Sequence, residues 1–140
     1  LESRSIFLLR EAYHAFPRLC MLWSIGKDST VLLWLARKAF FGHVPFPLLH
    51  IDTRHKIPEM IAWRDRLARE WNLDVRYACN EEALQARQTF PDGSTDRLTC
   101  CRLLKTAALA QALSGEGVRY RYDRDRDGYV QDPSQTPFEG

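Results

Sequence analysis

The 140-residue sequence predicts an α/β fold: a parallel sheet with helices on both faces, built in the Rossmann-like manner from β-α-β units. Three observations predict it. Short apolar-rich runs recur at residues 19–23 (LCMLW), 46–52 (FPLLHID) and 73–78 (LDVRYA), lengths that suit buried strands. Between them lie two longer segments with apolar residues at helical spacing, so strand and helix alternate as in right-handed crossovers. Turn and cap residues punctuate the alternation at Pro17, Gly26, Gly42 and Pro58.

Each element follows in order. In residues 2–16, Ile6, Leu9, Tyr13 and Phe16 recur at helical spacing, and Pro17 closes the segment. Residues 19–23 are wholly apolar and read as the first buried strand. Residues 30–41 are apolar on nearly every side, which predicts a helix packed on a sheet and shielded from water, ended by Gly42. After the second strand, Pro58 opens a helix where its missing amide costs little. Ile57, Met60, Ile61, Leu67, Ala68 and Trp71 form the apolar stripe of that helix, with Arg64, Asp65, Arg66 and Arg69 outside it. Residues 79–95 follow the third strand without a clear period, carry PDG at 91–93, and read as a loop or lid. A helical pattern returns over 98–113. Beyond Gly117, VRYRY alternates, DRDRDG is a turn and YVQ pairs back, which predicts a hairpin, while DPSQTPFEG reads as extended or disordered.

Composition excludes several classes. A hydrophobic content of 45% supports one globular domain. Net charge is +2 with 27% charged residues, so the one-sided basic field of sequence-independent nucleic-acid binding is lacking. Neither an apolar run of about 18 residues nor a charged-then-apolar leader occurs, which predicts a cytoplasmic protein with no membrane contact. Cys20, Cys79, Cys100 and Cys101 are expected as reduced thiols, with Cys100 and Cys101 buried as small apolar residues, and no resident metal is expected.

The chemistry concentrates at SIGKDST, residues 24–30, between the first strand and its helix. Ligands of open parallel sheets settle there, outside strand carboxyl ends and against unpaired helix amides. Gly26 lets the backbone approach an anion, Lys27 adds a full positive charge, and Ser24, Ser29 and Thr30 add hydroxyl donors. A polyphosphate suits that set; a plain turn with Lys27 and Asp28 facing water is the alternative. A Walker A loop would need glycine at Met21 and a hydroxyl at Asp28, and GxGxxG is absent too. Asp28 disfavours bare phosphate, so it either caps the helix amides, the simpler role, or takes magnesium that rides on the phosphates.

Further along, Asp52 and Thr53 end the second strand. A carboxylate there accepts from ribose hydroxyls, as in dinucleotide folds, or caps the helix starting at Pro58. His50 alternates to the other side and reads as a packed core histidine. Arg54, His55 and Lys56 form a basic patch that meets sulfate or phosphate, or is simply solvated. Lys105, in LLKTAAL, either contacts an anion or snorkels from an apolar helix. Asp123, Asp125, Asp127 and Gly128 fill the first half of a calcium loop, but Ser134 stands at its twelfth position, Pro133 blocks the exit helix, and two arginines oppose the cation. A charged hairpin turn is the preferred reading.

SIGKDST resembles the SGGxDS loop of the adenine nucleotide alpha hydrolase-like (PP-loop) family, which includes sulfate adenylyltransferase small subunits and phosphoadenylylsulfate reductases. SIGKDSTVLLWLARKAF, PFPLLHIDTRHKIPEM, RDRLA and the opening LESRSIFLLREA are similar to the ATP-binding small subunits of two-subunit sulfate adenylyltransferases, over residues 1–113. The resemblance implies a PP-loop nucleotide-binding domain over 1–117, with 118–140 a charged hairpin or extended tail after a missing segment. It implies that Ser24, Ile25, Gly26, Lys27, Asp28, Ser29 and Thr30 hold the triphosphate of ATP, with Lys27 catalytic. Asp52 and Thr53 would lie at the nucleoside, and Arg54, Lys56 and Lys105 would contact anions. The resemblance further implies that AMP would pass from ATP to sulfate, giving adenylyl sulfate and pyrophosphate, with Mg2+ carried on the phosphates and a GTPase large subunit as partner. A phosphoadenylylsulfate or adenylylsulfate reductase-type enzyme, or a nucleotide-binding module without turnover, are the alternatives. Iron–sulfur adenylylsulfate reductases carry a cysteine pair like Cys100 and Cys101, yet need a CxxC further on that this chain lacks. The GGxRRDE-type arginine loop of these families is also replaced, by GEGVRYRYDRDRDG.

Overall fold

The computed structural model describes residues 1–114, 119–123 and 128–131. They fall into two compact units, residues 1–50 with 56–75, and residues 51–55 with those from 76 onward.

In the first unit, helix α1 (Glu2–Ala15) precedes strand β1 (Met21–Leu22), helix α2 (Lys27–Ala39), strand β2 (Leu48–Ile51, its last residue already in the second unit) and helix α3 (Pro58–Glu70). β1 and β2 are parallel, in the register Met21 to Leu48 and Leu22 to Leu49. Backbone bonds from Met21 N to Pro47 O and from Trp23 N to Leu49 O, both 3.0 Å, extend the ladder beyond the two-residue strand. Burial along the run is not uniform as expected. Met21 and Trp23 point into the core, whereas Leu22, on the opposite face of the pleat, is 49% exposed.

The helix after β1 also departs from its all-round apolar reading. Only Leu33, Ala36 and Ala39 are buried, while Val31, Leu32 and Trp34 face water. One narrow stripe suffices because the two alanines let α2 approach closely; the remaining apolar residues are simply uncovered. α1 packs beside α2 through the Arg10 Nε bond to Ala39 O (2.8 Å), a Lys38–Glu2 ion pair, and the edge-on contact of the Tyr13 and Phe40 rings at 5.1 Å. α2 ends in a Schellman turn, with Gly42 N bonded to Arg37 O (2.7 Å) and Phe41 N to Lys38 O (3.3 Å). The left-handed position after the cap belongs to Phe41 (φ 57°), one residue before the expected stop at Gly42.

Pro58 opens α3 at its first turn as expected. The stripe does not hold at two places: Ile57 is exposed as the N-cap, and Arg64, assigned to the outside, is only 3% exposed. Its Nε donates to Asp65 Oδ1 at 2.9 Å, so the apolar stem packs inside while the guanidinium is paired. α3 also closes in a Schellman turn, with Asn72 left-handed (φ 53°) and Leu73 N bonded to Ala68 O (2.9 Å).

In the second unit, strand β3 (Val75–Ala78, its first residue in the first unit) leads to helix α4 (Glu81–Gln85). α4 lies in the stretch read as loop or lid. Its cause is visible in the chemistry: Asn80 Oδ1 accepts from Ala83 N at 3.1 Å, and Glu81 and Glu82 fill the first turn where the helix dipole favours them. Gly93 is obligatory in the loop beyond, because a Cβ there would lie 2.3 Å from Arg87 O. Asp96 caps helix α5 (Arg97–Cys101), which continues through a π-turn (Arg102–Ala107) into helix α6 (Ala108–Ser114). Leu104, Ala108 and Ala112 bury one side of this segment. Cys79 is buried, but Cys100 and Cys101 are half-buried rather than buried as expected, and none of the four thiols is in a disulfide.

Strands β4 (Arg119–Asp123) and β5 (Gly128–Gln131) form the expected hairpin, antiparallel from Tyr120 opposite Gln131 to Asp123 opposite Gly128. β4 also pairs antiparallel with β3, which places Ala78 opposite Arg119. The turn bearing Asp125 and Asp127, Ser134, and the tail lie outside the described residues. Among the described residues no helix is long and apolar enough to cross a membrane.

Candidate functional site

At the carboxyl end of β1 the chain turns through residues 24–30 into α2, and the turn is unusual at Ile25. This β-branched residue sits at φ 68° with only 7% of its surface exposed. A left-handed β-branched residue costs of order 1–3 kcal/mol and persists only where the surroundings hold it. Burial of the Ile25 side chain offsets that cost. Gly26, by contrast, has φ −67°, open to any residue; what its missing Cβ provides is room, since that atom would come within 3.3 Å of Ser24 Oγ.

The hydroxyls expected to reach a ligand are largely engaged within the turn. Ser29 Oγ donates to Gly26 O at 3.0 Å, so in the 3.0 Å contact between Ser24 Oγ and Ser29 Oγ the proton comes from Ser24. Gly26 N in turn donates to Ser24 Oγ at 3.4 Å. Each serine therefore spends its single proton on the loop itself. Thr30 differs: its Oγ1 accepts from Trp23 Nε1 at 3.2 Å, which leaves its own proton to give.

The donors that remain open are backbone amides. Thr30 N bonds Gly26 O at 3.0 Å and is the first amide of the helical ladder. The amides of Lys27, Asp28 and Ser29 precede it, and no side chain caps them. Asp28 is exposed and does not perform the capping expected of it. Three open amides at the positive end of a 13-residue helix, whose first residue is the exposed Lys27, can hold an anion of high charge.

The base of the turn is rigid. His50, fully buried, lies with Nδ1 2.7 Å from Trp23 O, and since a carbonyl only accepts, the ring proton is on Nδ1. The histidine is thus a packed core residue that ties β2 to the residue just before the turn. Trp23 is 1% exposed and packs against the Trp63 ring at 6.2 Å.

The second unit gathers a different group. Asp52 N bonds Ala78 O at 2.8 Å, and Asp52 Oδ1 accepts from Arg54 N at 2.9 Å while Oδ2 faces Arg54 Nε at 3.5 Å. Arg54 is left-handed (φ 60°), which turns its guanidinium back toward Asp52. The carboxylate keeps spare lone pairs for a hydroxyl donor. Thr53 is buried, and its carbonyl accepts from His55 Nδ1 at 2.6 Å. Cys79 Sγ lies 3.8 Å from Glu81 Oε1; burial raises the thiol above its ordinary value, with Glu81 adding to the rise and Arg54 opposing it. For Arg54 burial works toward a lower pKa, but Asp52, Cys79 and Glu81 outweigh it and the net direction is upward. Lys105 is exposed on the π-turn.

Of the expected site residues, 24–30 and Lys56 thus belong to the first unit, and Asp52, Thr53, Arg54 and Lys105 to the second. Sequence reasoning missed Trp23 as a tether of Thr30 and the left-handed Ile25; neither residue type announces such a role. It also passed over Asn80, although Asn followed by two glutamates is a legible cap signal. Among the described residues no three His, Cys, Asp or Glu side chains group to hold a metal ion.

Residues 18–123 match the phosphoadenosine phosphosulfate reductase domain. The chain is 44% identical over 138 residues to the sulfate adenylyltransferase subunit 2 of Methylococcus capsulatus, covering 97% of this chain and 43% of that protein. It is 48% identical over 115 residues to the protein of the same name from Rhizobium tropici, covering 81% and 38%, and 43% identical over 141 residues to that of Geotalea uraniireducens, covering 97% and 44%. The chain spans less than half the length of these curated relatives.

Proposed function

The chain belongs to the phosphoadenosine phosphosulfate reductase domain family, and from that premise we propose that it is the nucleotide-binding part of a sulfate adenylyltransferase subunit 2. The observation that carries the proposal is the uncapped start of α2: three open amides and Lys27 at the end of a parallel strand. In this reading ATP enters with Mg2+ as its substrate complex. The triphosphate rests on the amides of Lys27, Asp28 and Ser29, with Thr30 free to donate through its hydroxyl. Asp28, exposed and not engaged in capping, suits the magnesium rather than the phosphates. Asp52 and Thr53 serve the nucleoside, and Arg54, Lys56 and Lys105 serve anionic groups.

Sulfate oxygen attacks the α-phosphorus, forming the phosphosulfate bond as the bond to the β-phosphate oxygen breaks; pyrophosphate leaves with the electron pair. Negative charge grows on that leaving group. Lys27 and the fixed amide dipoles stabilise it without reorganising, which is where such a site lowers the barrier most. The lysine is therefore the residue on which turnover depends. The name subunit 2 carried by the relatives supports a partner subunit, which in this reading is a GTPase.

Sulfate-dependent exchange of labelled pyrophosphate into ATP, run with and without the large subunit, tests the proposal. Exchange that requires sulfate is expected. Sulfite release from a sulfonucleotide with thioredoxin, and no exchange, would assign a reductase instead; tight ATP binding with neither reaction would leave a binding module.

A further inference from the structure

Three side-chain hydroxyls stand in the bend of residues 24–30, and their protons have different fates. Ser29 Oγ donates to Gly26 O and Ser24 Oγ donates to Ser29 Oγ, so neither serine has a proton left for a ligand. Thr30 Oγ1 instead accepts from Trp23 Nε1 at 3.2 Å, and among the described residues its own proton meets no acceptor. Thr30 is half-buried in the first turn of α2 and directly follows the uncapped amides.

The donor of that bond is held in place. Trp23 is 1% exposed, its ring packs against Trp63, and its carbonyl accepts from His50 Nδ1 at 2.7 Å. An indole nitrogen can only donate, and one left unsatisfied away from water is costly, so Trp23 keeps Thr30 Oγ1 as its acceptor. With one lone pair taken by the indole, the hydroxyl hydrogen is kept off the Trp23 side, and the strong role left to it is to donate outward. A phosphate oxygen suits that proton, since it accepts and carries a charge that strengthens the bond.

We propose that Trp23 is a positioning residue which, by donating to Thr30 Oγ1, commits the Thr30 hydroxyl as a hydrogen-bond donor to a phosphate oxygen of bound ATP. The inference rests on the reading of residues 24–30 as the triphosphate site, and it adds to that reading a buried residue with no contact to the substrate. It also divides the hydroxyls of the bend: Thr30 holds the ligand, while Ser24 and Ser29 hold the shape of the loop. Without the indole donor, as in Trp23→Phe, the Thr30 proton turns freely and is less well aimed. Thr30→Ser keeps the hydroxyl, whereas Thr30→Val keeps only the shape of the side chain.

The test is calorimetry of Mg2+–ATP binding to wild type, Trp23→Phe, Thr30→Val, Thr30→Ser and the double variant Trp23→Phe with Thr30→Val, each at a temperature where its melting curve shows it folded. Affinity is expected to fall roughly tenfold in Thr30→Val, the size of a lost hydrogen bond to a charged acceptor, about threefold in Trp23→Phe, and less than about twofold in Thr30→Ser. Because Trp23 acts through the hydroxyl, Trp23→Phe should lower affinity no further in the Thr30→Val background, which a general loosening of the bend would not produce. Additive losses, wild-type affinity in Thr30→Val, or a Thr30→Ser as weak as Thr30→Val overturn the inference and leave the triphosphate reading standing. Absent binding of Mg2+–ATP in wild type, or equal affinity in Lys27→Ala, overturns that reading and this inference with it.

Discussion

The indole nitrogen of Trp23 donates to the hydroxyl of Thr30 at 3.2 Å, so the last buried residue before the turn holds the first residue whose amide joins the α2 ladder. The same tryptophan offers its carbonyl to the buried His50. Both ends of the seven-residue bend are therefore fixed before any ligand arrives, and such preorganisation reduces the ordering cost of binding.

Replacing Trp23 by Phe removes the donor and part of a buried ring. Stability should fall by about 1–3 kcal/mol, from a lost hydrogen bond and imperfect filling of the indole volume. Urea unfolding measures it, and ATP affinity should weaken a few-fold in parallel. A variant as stable as wild type would show that the tether has no energetic weight.

The two neighbouring leucines of α2 separate the observed burial from the apolar pattern. Leu33 is fully buried and Leu32 is 41% exposed. Leu33→Ala should cost about 2–5 kcal/mol, whereas Leu32→Ala should stay within about 0.5 kcal/mol. Equal losses in denaturant melts would return α2 to the shielded helix its composition suggests.

Cys79 should be the slowest of the four thiols toward iodoacetamide near neutral pH. Burial raises its pKa, so the reactive thiolate is scarce until the solution is well alkaline. Arg54→Ala removes an influence that lowers the pKa, and should slow the alkylation further. Mass spectrometry of partially labelled protein reads the order; a fast Cys79 at neutral pH would contradict the arrangement of Arg54, Cys79 and Glu81.

Asp96 caps α5 through bonds from the Thr99 amide and hydroxyl, both 2.9 Å, and these lower its pKa. A carboxylate whose folded pKa is depressed contributes stability above its unfolded pKa, near 3.9, and loses it as the pH falls through the lower folded value. Asp96→Asn keeps a capping oxygen and should flatten the acid limb of the stability curve. An unchanged acid limb would show that the cap does not depend on charge.

The strands and the turn were legible because their signals are local. Apolar runs ended by Gly26 and Pro58 foretold β1, β2 and the start of α3, and the tyrosine-rich alternation foretold the hairpin. What escaped is decided by tertiary context. Arg64 reads as solvated until Asp65 is seen to pair with it, and Phe41 takes a left-handed position that chemistry would give to Gly42. At the site, the sequence names Lys27 and the serines as donors, but only three dimensions reveal that the serine protons are used within the loop while the amides stay open. A π-turn leaves no mark in a periodic pattern, since one extra residue in a helix looks like an ordinary drift of the apolar stripe.

The most direct test of the central claim is the affinity of Mg2+–ATP for wild type and Lys27→Ala, measured by calorimetry, with thermal melts of both. Lys27 is exposed and makes no ion pair among the described residues, so the variant should melt with the wild type. Its affinity should nonetheless drop about tenfold or more, the size expected when a charge-assisted contact to phosphate is lost. Equal affinity in the two proteins would contradict a triphosphate held at the start of α2.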